Sequence, residues 1–498
     1  MLKQIIKRCY GLIYRHSMTA IDVNPQKTQL KFFRQWAKEM SQTSVGRLQE
    51  KAIYTDLECF RHQVKITDYE YYQLVFLEGI NRIATIGMIE SGMNENNAGM
   101  FERQTTRYFG HSSTSKKYVP FTKKTIATFK KYQHAVLANL LHALPESNLK
   151  TFIVLGGLTI EYKGSAKLGY SSAIMMEHNT KAFRNMVNPP VAQLMQADFA
   201  EKLRLMEKRL IESAPDTLSG LPELVKGLIL HLLKGPRAEE VRATLKKVKL
   251  LCWSGNYLTA EDEAFFRQTL SADLVISAVC SATEGAIGFG QESYDIFAPA
   301  LQHNLFLFID ENADASASNT PRYFSWELEA SRCYRLTMTN FSGLTAYLTG
   351  DIIEVVQQQP LRFKLRTPHN EYALLKTHIN VSFTDFYLYF DGDTERLFVY
   401  LETAAKNSIV YAQIELLGKA FDARSVEFIR VEQGNIAQAA YYAAHHGLIK
   451  LKRYQDKLRP HQLFVNALMS LDAKKIINLN NQQTRPTKAT RISLHEIT

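Results

Sequence analysis

The residues best suited to chemistry close one apolar run. The stretch S-A-D-L-V-I-S-A-V-C-S-A-T-E-G, residues 271–285, ends in Ser281, Thr283, Glu284 and Gly285. This order is typical of a buried strand that presents hydroxyls and one carboxylate at its carboxyl end. Hydroxyls donate to phosphate oxygens, and a carboxylate holds a hard cation such as Mg²⁺. The run indicates a nucleotide and metal site, and a plain strand followed by a turn fits it equally well.

A second candidate segment is L-T-M-T-N-F-S-G-L-T-A-Y-L-T-G-D, residues 336–351. Two β-rich runs, 335–339 and 352–356, flank its turn at Gly343 and its Gly350-Asp351 corner. One hypothesis is that Asp351 accepts hydrogen bonds from both hydroxyls of a ribose. The other is that Asp351 is a turn residue that caps its own backbone. Both interpretations fit a single residue.

A third segment lies upstream, at G-H-S-S-T-S-K-K-Y-V-P-F-T, residues 110–122. Hydroxyls and turn amides can donate to phosphate oxygens, and a following ammonium can neutralise their charge. A solvated loop is the alternative for such a stretch. The candidate phosphate contacts are Ser112, Ser113, Thr114, Ser115 and Lys117.

Numbered along the chain from here on, residues 110–122 are the first segment, 271–285 the second and 336–351 the third. In this order they resemble the nucleotide-binding motifs of the adenylate-forming superfamily. The closest likeness is to the auxin-responsive Gretchen Hagen (acyl-acid amido synthetase) family, with S-S-G-T-S-x-G-x-x-K-x-I-P-x-T, Y-x-S-S-E-G and T-x-x-G-L-Y-R-Y-x-x-G-D. Linking segments agree as well: residues 152–162 resemble the family's glycine-containing hairpin, and 250–258 and 301–310 resemble its strands. The resemblance covers roughly residues 100–366 and identifies the chain as similar to a divergent member of bacterial type.

The resemblance implies a role for each matched residue. Serines 112, 113 and 115 with Thr114 and Lys117 would hold phosphates, and Glu284 would hold Mg²⁺. Thr283 would contact the α-phosphate or the acyl carboxylate. The nucleotide pocket would also include Ser281, Tyr347, Asp351 at the ribose, and Arg366. In Y-Q-D-K-L-R-P, residues 454–460, Lys457 resembles the lysine that the family's carboxyl-terminal domain delivers to the reacting groups.

The implied activity is that of an ATP-dependent carboxylate–amine ligase. A small carboxylic acid would attack ATP to give an acyl-adenylate, and an amine such as an amino acid would then displace AMP. Two departures weaken the phosphate contacts: Ser113 replaces a glycine in a shortened loop, and Thr345-Ala346-Tyr347 replaces Tyr-Arg-Tyr. A catalytically degenerate nucleotide-binding or scaffold protein of the same fold, or an acyl-CoA-type ligase, is therefore the alternative.

The patterns predict an α/β fold of two domains. Residues 1–366 are expected to form a large adenylate-forming domain with mixed and parallel sheets, helical over 1–100. Residues 367–480 are expected to form a small, mobile α+β lid, because Thr367 before Pro368 favours an extended hinge. The last residues, 481–498, are polar and aperiodic, which indicates a flexible tail.

Composition narrows the class of protein and its partners. The net charge of +11 comes from basic residues spread along 498 residues, without a nucleic-acid-binding signature, so no nucleic-acid partner is expected.

No apolar run is long enough to span a bilayer, and the first residues are expected to form an amphipathic segment that packs on the domain or touches a membrane surface. Scattered cysteines favour a reducing, cytoplasmic location. They are Cys9, Cys59, Cys252, Cys280 and Cys333. The sequence does not define an oligomeric state.

Overall fold

A computed structural model gives the fold of the chain in two compact units. One unit comprises residues 1–370 with 444–450, and the other comprises 371–443 with 451–498. The structure describes residues 22–86 except 44, 107–111, 117–144, 151–154, 160–179, 187–190, 199–254, 258–291, 295–366 except 318, 381–421, 423–445, 454–455, 458–471 and 477–478, and the single residues 12, 193, 375, 378 and 379. Across these residues, no helix combines the length and apolar character that a bilayer crossing requires.

The helices of the first unit lie mainly before residue 270. They are α1 Pro25–Met40, α2 Leu57–Gln63, α3 Tyr69–Ile86, α4 Lys123–Ala143, α5 Ser171–His178, α6 Phe199–Ser213, α7 Pro222–Leu232, α8 Ala238–Leu245 and α9 Ala260–Thr269, with short 3₁₀ turns at Gly46–Leu48 and Lys51–Tyr54. The helices expected in the first hundred residues are present as α1, α2 and α3.

Strands of the first unit form two sheets. They are β1 Tyr108–His111, β2 Tyr118–Phe121, β3 Thr151–Val154, β4 Ile160–Lys163, β5 Ala166–Gly169, β6 Val187–Asn188, β7 Thr217–Gly220, β8 Leu250–Ser254, β9 Val275–Ser281, β10 Ala286–Gly290, β11 Phe297–Pro299, β12 Leu305–Asp310, β13 Cys333–Thr339, β14 Tyr347–Gln357 and β15 Arg362–Arg366. The strand expected within the apolar run 271–285 is present as β9, and the β-rich runs 335–339 and 352–356 lie within β13 and β14.

The large sheet has eleven described strands in the order β12-β13-β14-β15-β11-β10-β9-β8-β7-β3-β6. The successive neighbours β6, β3, β7, β8 and β9 pair in parallel. The remaining pairs, from β9 through β10, β11, β15, β14 and β13 to β12, are antiparallel. The expected α/β class with mixed sheets is confirmed. The parallel part of this mixed sheet ends at β9, because the short turn after Ser281 can return the chain only as an antiparallel neighbour, β10.

A smaller sheet has the order β2-β1-β5-β4. Strand β4 pairs antiparallel with β5, and β5 pairs parallel with β1. The interpretation of residues 152–162 as a hairpin is therefore wrong, since β3 belongs to the large sheet and β4 to the small one. A local pattern cannot tell a hairpin from two strands that part into different sheets.

The amino-terminal helices pack on the end of the large sheet that carries β12, β13 and β14. Helix α1 starts with Asn24, whose Oδ1 accepts from the Lys27 backbone N–H at 2.8 Å, and with Pro25 in its first turn. Its buried face includes Phe33 and Trp36, which join a core that also holds Tyr347. Burial of such aromatic side chains contributes about 2 kcal/mol each.

Gln29 ties α1 to the turn before β12. Its Nε2 donates to the carbonyls of Leu301 at 2.5 Å and Asn304 at 2.8 Å, and its Oε1 accepts from the Phe306 N–H at 3.0 Å. The side chain is 1% exposed. One helix residue therefore satisfies three buried backbone groups, which would otherwise be unpaired.

The second unit contains a five-stranded sheet with helices. Its strands are β16 Asp385–Asp391, β17 Arg396–Glu402, β18 Ser425–Arg430, β19 Tyr454–Gln455 and β20 Ile477–Asn478, and its helices are α10 Asn407–Ala420, α11 Asn435–His445 and α12 Leu458–Ser470. The sheet order is β19-β16-β17-β18-β20. Buried Glu402 accepts from the backbone N–H of Gly434 and of Ile436, both at 2.8 Å, at the start of α11. The domain limits and lid role expected from the sequence stay predictions.

We expect Gln29→Ala to lower the free energy of unfolding by about 3 kcal/mol, since it leaves three buried backbone groups without their partner. Urea unfolding followed by fluorescence gives the measurement. Lys31→Ala, an exposed change on the same helix, is the matched control and should change stability by less than about 0.5 kcal/mol. Equal effects of the two changes would contradict the role of Gln29.

Candidate active site

Three distant segments meet at one carboxylate. Lys117 lies just before β2, Glu284 lies in the turn between β9 and β10, and Tyr347 opens β14. Lys117 Nζ donates to Tyr347 Oη at 3.4 Å, and Tyr347 Oη donates to Glu284 Oε1 at 3.2 Å. The structure therefore joins one residue from each of the three predicted nucleotide-binding segments in a single hydrogen-bonded chain.

The turn that carries Glu284 is tight and mostly buried. The N–H of Ala282 donates to the carbonyl of Gly285 at 2.9 Å, and the N–H of Gly285 donates back to Ala282 at 3.3 Å. A Cβ atom at position 285 would lie 2.6 Å from Met338 Sδ, so a larger residue here would have to displace the Met338 side chain. Glu284 itself is 8% exposed.

Burial controls the electrostatics of Glu284. It raises the pKa of this carboxyl above its ordinary value, and the nearby carboxylate of Asp351 acts in the same direction. The backbone amide of Glu284, the ammonium of Lys117 and the hydroxyl of Tyr347 oppose that shift. Burial, followed by the charge of Glu284, also raises the pKa of Tyr347, so the phenol stays a hydrogen-bond donor. A cation bound beside Glu284 would favour the ionised form that burial disfavours.

Tyr347 is positioned by the segment that leads into α3. The N–H of Thr67 donates to Ala346 O at 3.1 Å, and the N–H of Leu348 donates to Thr67 O at 2.8 Å, so one residue extends the edge of β14. Tyr72 Oη accepts from the Thr345 N–H at 2.9 Å. The amino-terminal helices therefore fix the start of β14 and with it the phenol of Tyr347.

Thr283 faces the strand that enters the first predicted segment. Its Oγ1 donates to the carbonyl of His111 at 3.5 Å, and its Cγ2 would lie 2.9 Å from a Cβ atom at position 110. Gly110 therefore permits β1 and the Glu284 turn to approach each other closely. Ser112, Ser113, Thr114 and Ser115, predicted to hold phosphates, lie outside the described residues, as does Lys457.

Asp351 lies in β14 after Gly350, whose φ of +86° favours glycine. Its N–H donates to Thr349 Oγ1 at 3.1 Å, and its half-buried carboxylate is close enough to Glu284 to affect the pKa of that group. Glu284 and Asp351 therefore lie near each other, and carboxylate oxygens are ligands that Mg²⁺ takes together with phosphate oxygens.

The described chain contains two more of the predicted residues, Ser281 and Arg366. Ser281, at the end of β9, is exposed. The guanidinium of Arg366 contacts Glu311 Oε2 at 3.1 Å and Cys333 Sγ at 3.3 Å. These contacts tie Arg366 to the chain around β13, and its expected role at the ribose is a proposal without support from its described partners.

Sequence patterns gave no role to several residues that surround the Glu284 turn. Asn340 Nδ2 donates to the carbonyl of Glu284 at 2.7 Å, and Asn304 Nδ2 donates to the carbonyl of Ala286. Asn340 stands inside the third predicted segment, next to Phe341, but an asparagine after a strand gives the same pattern as an ordinary turn. Only the fold shows that it contacts the second segment.

A small cavity lies behind the turn. Its volume is about 10 Å³, roughly the space of one water molecule. It is lined by Thr125, Thr128, Phe129, Glu284, Gly285, Ala286, His303, Asn304, Asn340 and Phe341. Burial, aided by Lys131, lowers the pKa of His303 to about 3, so the imidazole is neutral. Neither ring nitrogen has a hydrogen-bond partner among the described residues.

Comparison with solved structures identifies the class of fold. The chain is similar to "AtGH3.15 acyl acid amido synthetase in complex with 2,4-DB", with a TM-score of 0.66, 13% identity, and coverage of 92% of this chain and 96% of that one. It is also similar to 2-hydroxyisobutyryl-CoA ligase in the postadenylation state with 2-HIB-AMP, with a TM-score of 0.53, 11% identity, and coverage of 90% and 93%. The fold is that of adenylate-forming enzymes.

A match to a family model points to one family among the adenylate-forming enzymes. The GH3 family central domain matches residues 297–367, the region that contains β11 to β15 and the third predicted segment. No curated protein matches the chain by sequence. The family match and the likeness to a GH3 synthetase fold together confirm the resemblance to the GH3 family of adenylate-forming enzymes that the motifs predicted.

We expect Glu284→Gln to be more stable than the wild type at about pH 8. The folded-state pKa of Glu284 lies above its ordinary value. The wild-type protein therefore has its full stability below the ordinary pKa and loses stability as pH rises through the raised pKa, because the buried carboxyl then becomes charged. The difference should vanish near about pH 4. Urea unfolding across this pH range gives the measurement. Glu239→Gln, an exposed carboxylate on α8, should show no such pH-dependent gain; a matching gain there would contradict the burial argument.

Proposed function

We propose that this protein is an ATP-dependent acyl-acid amido synthetase of the adenylate-forming type. In the first half-reaction a carboxylate oxygen of a small organic acid attacks the α-phosphorus of ATP, and pyrophosphate leaves. In the second, an amine attacks the acyl carbon of the adenylate, loses a proton and expels AMP to form an amide. The observation that carries the proposal is the Lys117–Tyr347–Glu284 chain, which unites the three segments that resemble nucleotide-binding motifs.

The carboxylates provide the metal and ribose contacts in this proposal. Glu284, with Asp351 nearby, would hold Mg²⁺, which when bound neutralises phosphate charge. Asp351 would also accept from the ribose hydroxyls. Because Glu284 is buried and its pKa is raised, a cation has a strong electrostatic reason to bind beside it.

The basic and hydroxyl groups provide the phosphate contacts. Lys117 precedes β2 at the end of the predicted phosphate segment, and its Nζ already lies at the carboxylate cluster. Thr283, against β1, would donate to the α-phosphate or the acyl carboxylate. Ser112, Ser113, Thr114 and Ser115 would donate to the remaining phosphate oxygens, Ser281 and Arg366 would complete the nucleotide pocket, and Lys457 would stabilise the charge that develops during adenylation.

A thioester-forming ligase is the second candidate, because the fold also matches that of a CoA ligase. The GH3 central-domain match over 297–367 favours an amine acceptor. Because Ala346 replaces the family's arginine, a catalytically degenerate nucleotide-binding or scaffold protein of the same fold is a third possible outcome of the test. Ala346 is fully buried, and its N–H donates to Thr339 Oγ1 at 2.7 Å. A cytoplasmic location belongs to this proposal and is supported by four free cysteines in the described chain.

We expect ATP–pyrophosphate exchange with at least one acid from a panel of aromatic, indolic and aliphatic carboxylic acids. Asp351→Ala should lower kcat/KM for ATP by at least about tenfold, since it removes charge-assisted hydrogen bonds. Addition of amino acids or of coenzyme A to the active acid then distinguishes amide from thioester formation. A folded protein that neither exchanges pyrophosphate nor binds ATP with Mg²⁺ would contradict the proposal and favour the scaffold alternative.

We expect Glu284→Ala and Lys457→Ala each to lower pyrophosphate exchange by about a hundredfold or more without unfolding the protein. The first removes the metal contact, and the second removes a cation that stabilises the transition state. Exchange rates and circular dichroism are measured together. Lys419→Ala, an exposed lysine of α10, is the control for Lys457 and should retain wild-type exchange. Full activity of Glu284→Ala or Lys457→Ala would rule out its assigned role.

A further inference from the structure

Asn340 links the second and third segments through both atoms of its amide. Its Nδ2 donates to the backbone carbonyl of Glu284 at 2.7 Å, and its Oδ1 accepts from the N–H of Ser342 at 2.9 Å. The residue is 5% exposed. A buried amide with partners on both sides has one stable orientation, so it fixes the backbone on which Glu284 is carried.

The backbone of Asn340 is held as firmly as its side chain. Its N–H donates to the carbonyl of Leu344 at 3.0 Å, and its carbonyl accepts from Trp36 Nε1 at 3.2 Å. Trp36 is fully buried in the core that α1 forms against the sheet. The residue that contacts Glu284 therefore has a backbone that is fixed by hydrogen bonds on both sides.

The contact depends on the close approach that Gly285 allows. A Cβ atom at position 285 would lie 3.2 Å from Asn340 Nδ2 and 2.6 Å from Met338 Sδ. A side chain at this position would therefore have to displace the side chain of Met338 and crowd the amide of Asn340. Gly285 thus leaves room for the amide of Asn340 to reach the carbonyl of Glu284, which directly precedes it.

We propose that Asn340 is a positioning residue that directs the Glu284 carboxylate toward the Mg²⁺ of ATP. The inference rests on the proposed function, since it takes Glu284 as a metal ligand. Asn340 acts on the peptide that follows Glu284, whereas Tyr347 acts on the carboxylate itself at 3.2 Å. Two independent contacts thus set the direction of one buried side chain, one through the backbone and one through the carboxylate.

Loss of the Asn340 amide would leave the turn in place. The paired hydrogen bonds between Ala282 and Gly285 remain, and β10 still pairs with β9. The carboxylate would sample more directions, so metal binding would weaken while recognition of the carboxylic acid would not change. This split separates a positioning role from a purely structural one.

The test uses Asn340→Ala, Asn340→Asp and Trp36→Phe in the full-length protein. Asn340→Asp keeps an acceptor for the N–H of Ser342 and, when ionised, lacks the donor to the Glu284 carbonyl. Trp36→Phe removes the hydrogen bond to the Asn340 carbonyl and keeps the contact between the Asn340 side chain and Glu284. We expect both Asn340 variants to need about tenfold more Mg²⁺ for half-maximal pyrophosphate exchange, with KM for the acid unchanged. Trp36→Phe should lose thermal stability and keep the wild-type Mg²⁺ dependence.

An unchanged Mg²⁺ dependence in both Asn340 variants, or an equal shift in Trp36→Phe, would overturn the inference. A wild-type protein without exchange and without binding of ATP and Mg²⁺ would instead contradict the proposed function. Amide hydrogen exchange of the peptide that covers residues 281–286 then decides the positioning role. Faster exchange in Asn340→Ala and not in Trp36→Phe would support it, and wild-type exchange in Asn340→Ala would overturn it.

Discussion

The candidate active site depends on one buried carboxylate. Glu284 is 8% exposed, and its pKa is raised above the ordinary value because the charged form loses the hydration that it has in water. A buried charge persists only where partners compensate for that loss. The hydroxyl of Tyr347 and, through it, the ammonium of Lys117 supply part of this compensation. A bound cation would supply the rest, which links the energetics of the fold directly to ligand binding.

The helices at the amino terminus serve as the frame for this carboxylate. Gln29 fixes the turn before β12, Trp36 contacts the backbone of Asn340, and Thr67 with Tyr72 fixes the start of β14. None of these residues belongs to a motif that resembles a nucleotide-binding segment. Their polar atoms satisfy backbone groups that would otherwise be buried without partners, so the helices contribute hydrogen bonds as well as apolar surface.

The position of the site follows from a change of connection in the large sheet. Up to β9 the strands of this sheet are joined by long segments that include helices, and they run parallel, whereas a short turn after β9 leads into its antiparallel neighbour β10. The Glu284 turn lies at this change, where the carboxyl end of a parallel strand opens into the crevice that ligands of α/β sheets use. The later strands β13 and β14 then bring Asn340 and Tyr347 to the same turn.

The sequence by itself determined the local elements and the order of the motifs. The helical character expected for residues 1–100 covers α1 and α3, and the apolar run 271–285 identified β9. The residue types at Glu284 and Asp351 indicated metal and ribose chemistry, because these properties depend on neighbours along the chain. Tertiary structure alone decided which side chains meet. Lys117 and Tyr347 are 230 residues apart and Tyr347 and Glu284 are 63 apart, so their contact depends on strand order and register, which local patterns do not contain. For the same reason the sequence missed Asn340, whose partner lies on another strand connection 56 residues away.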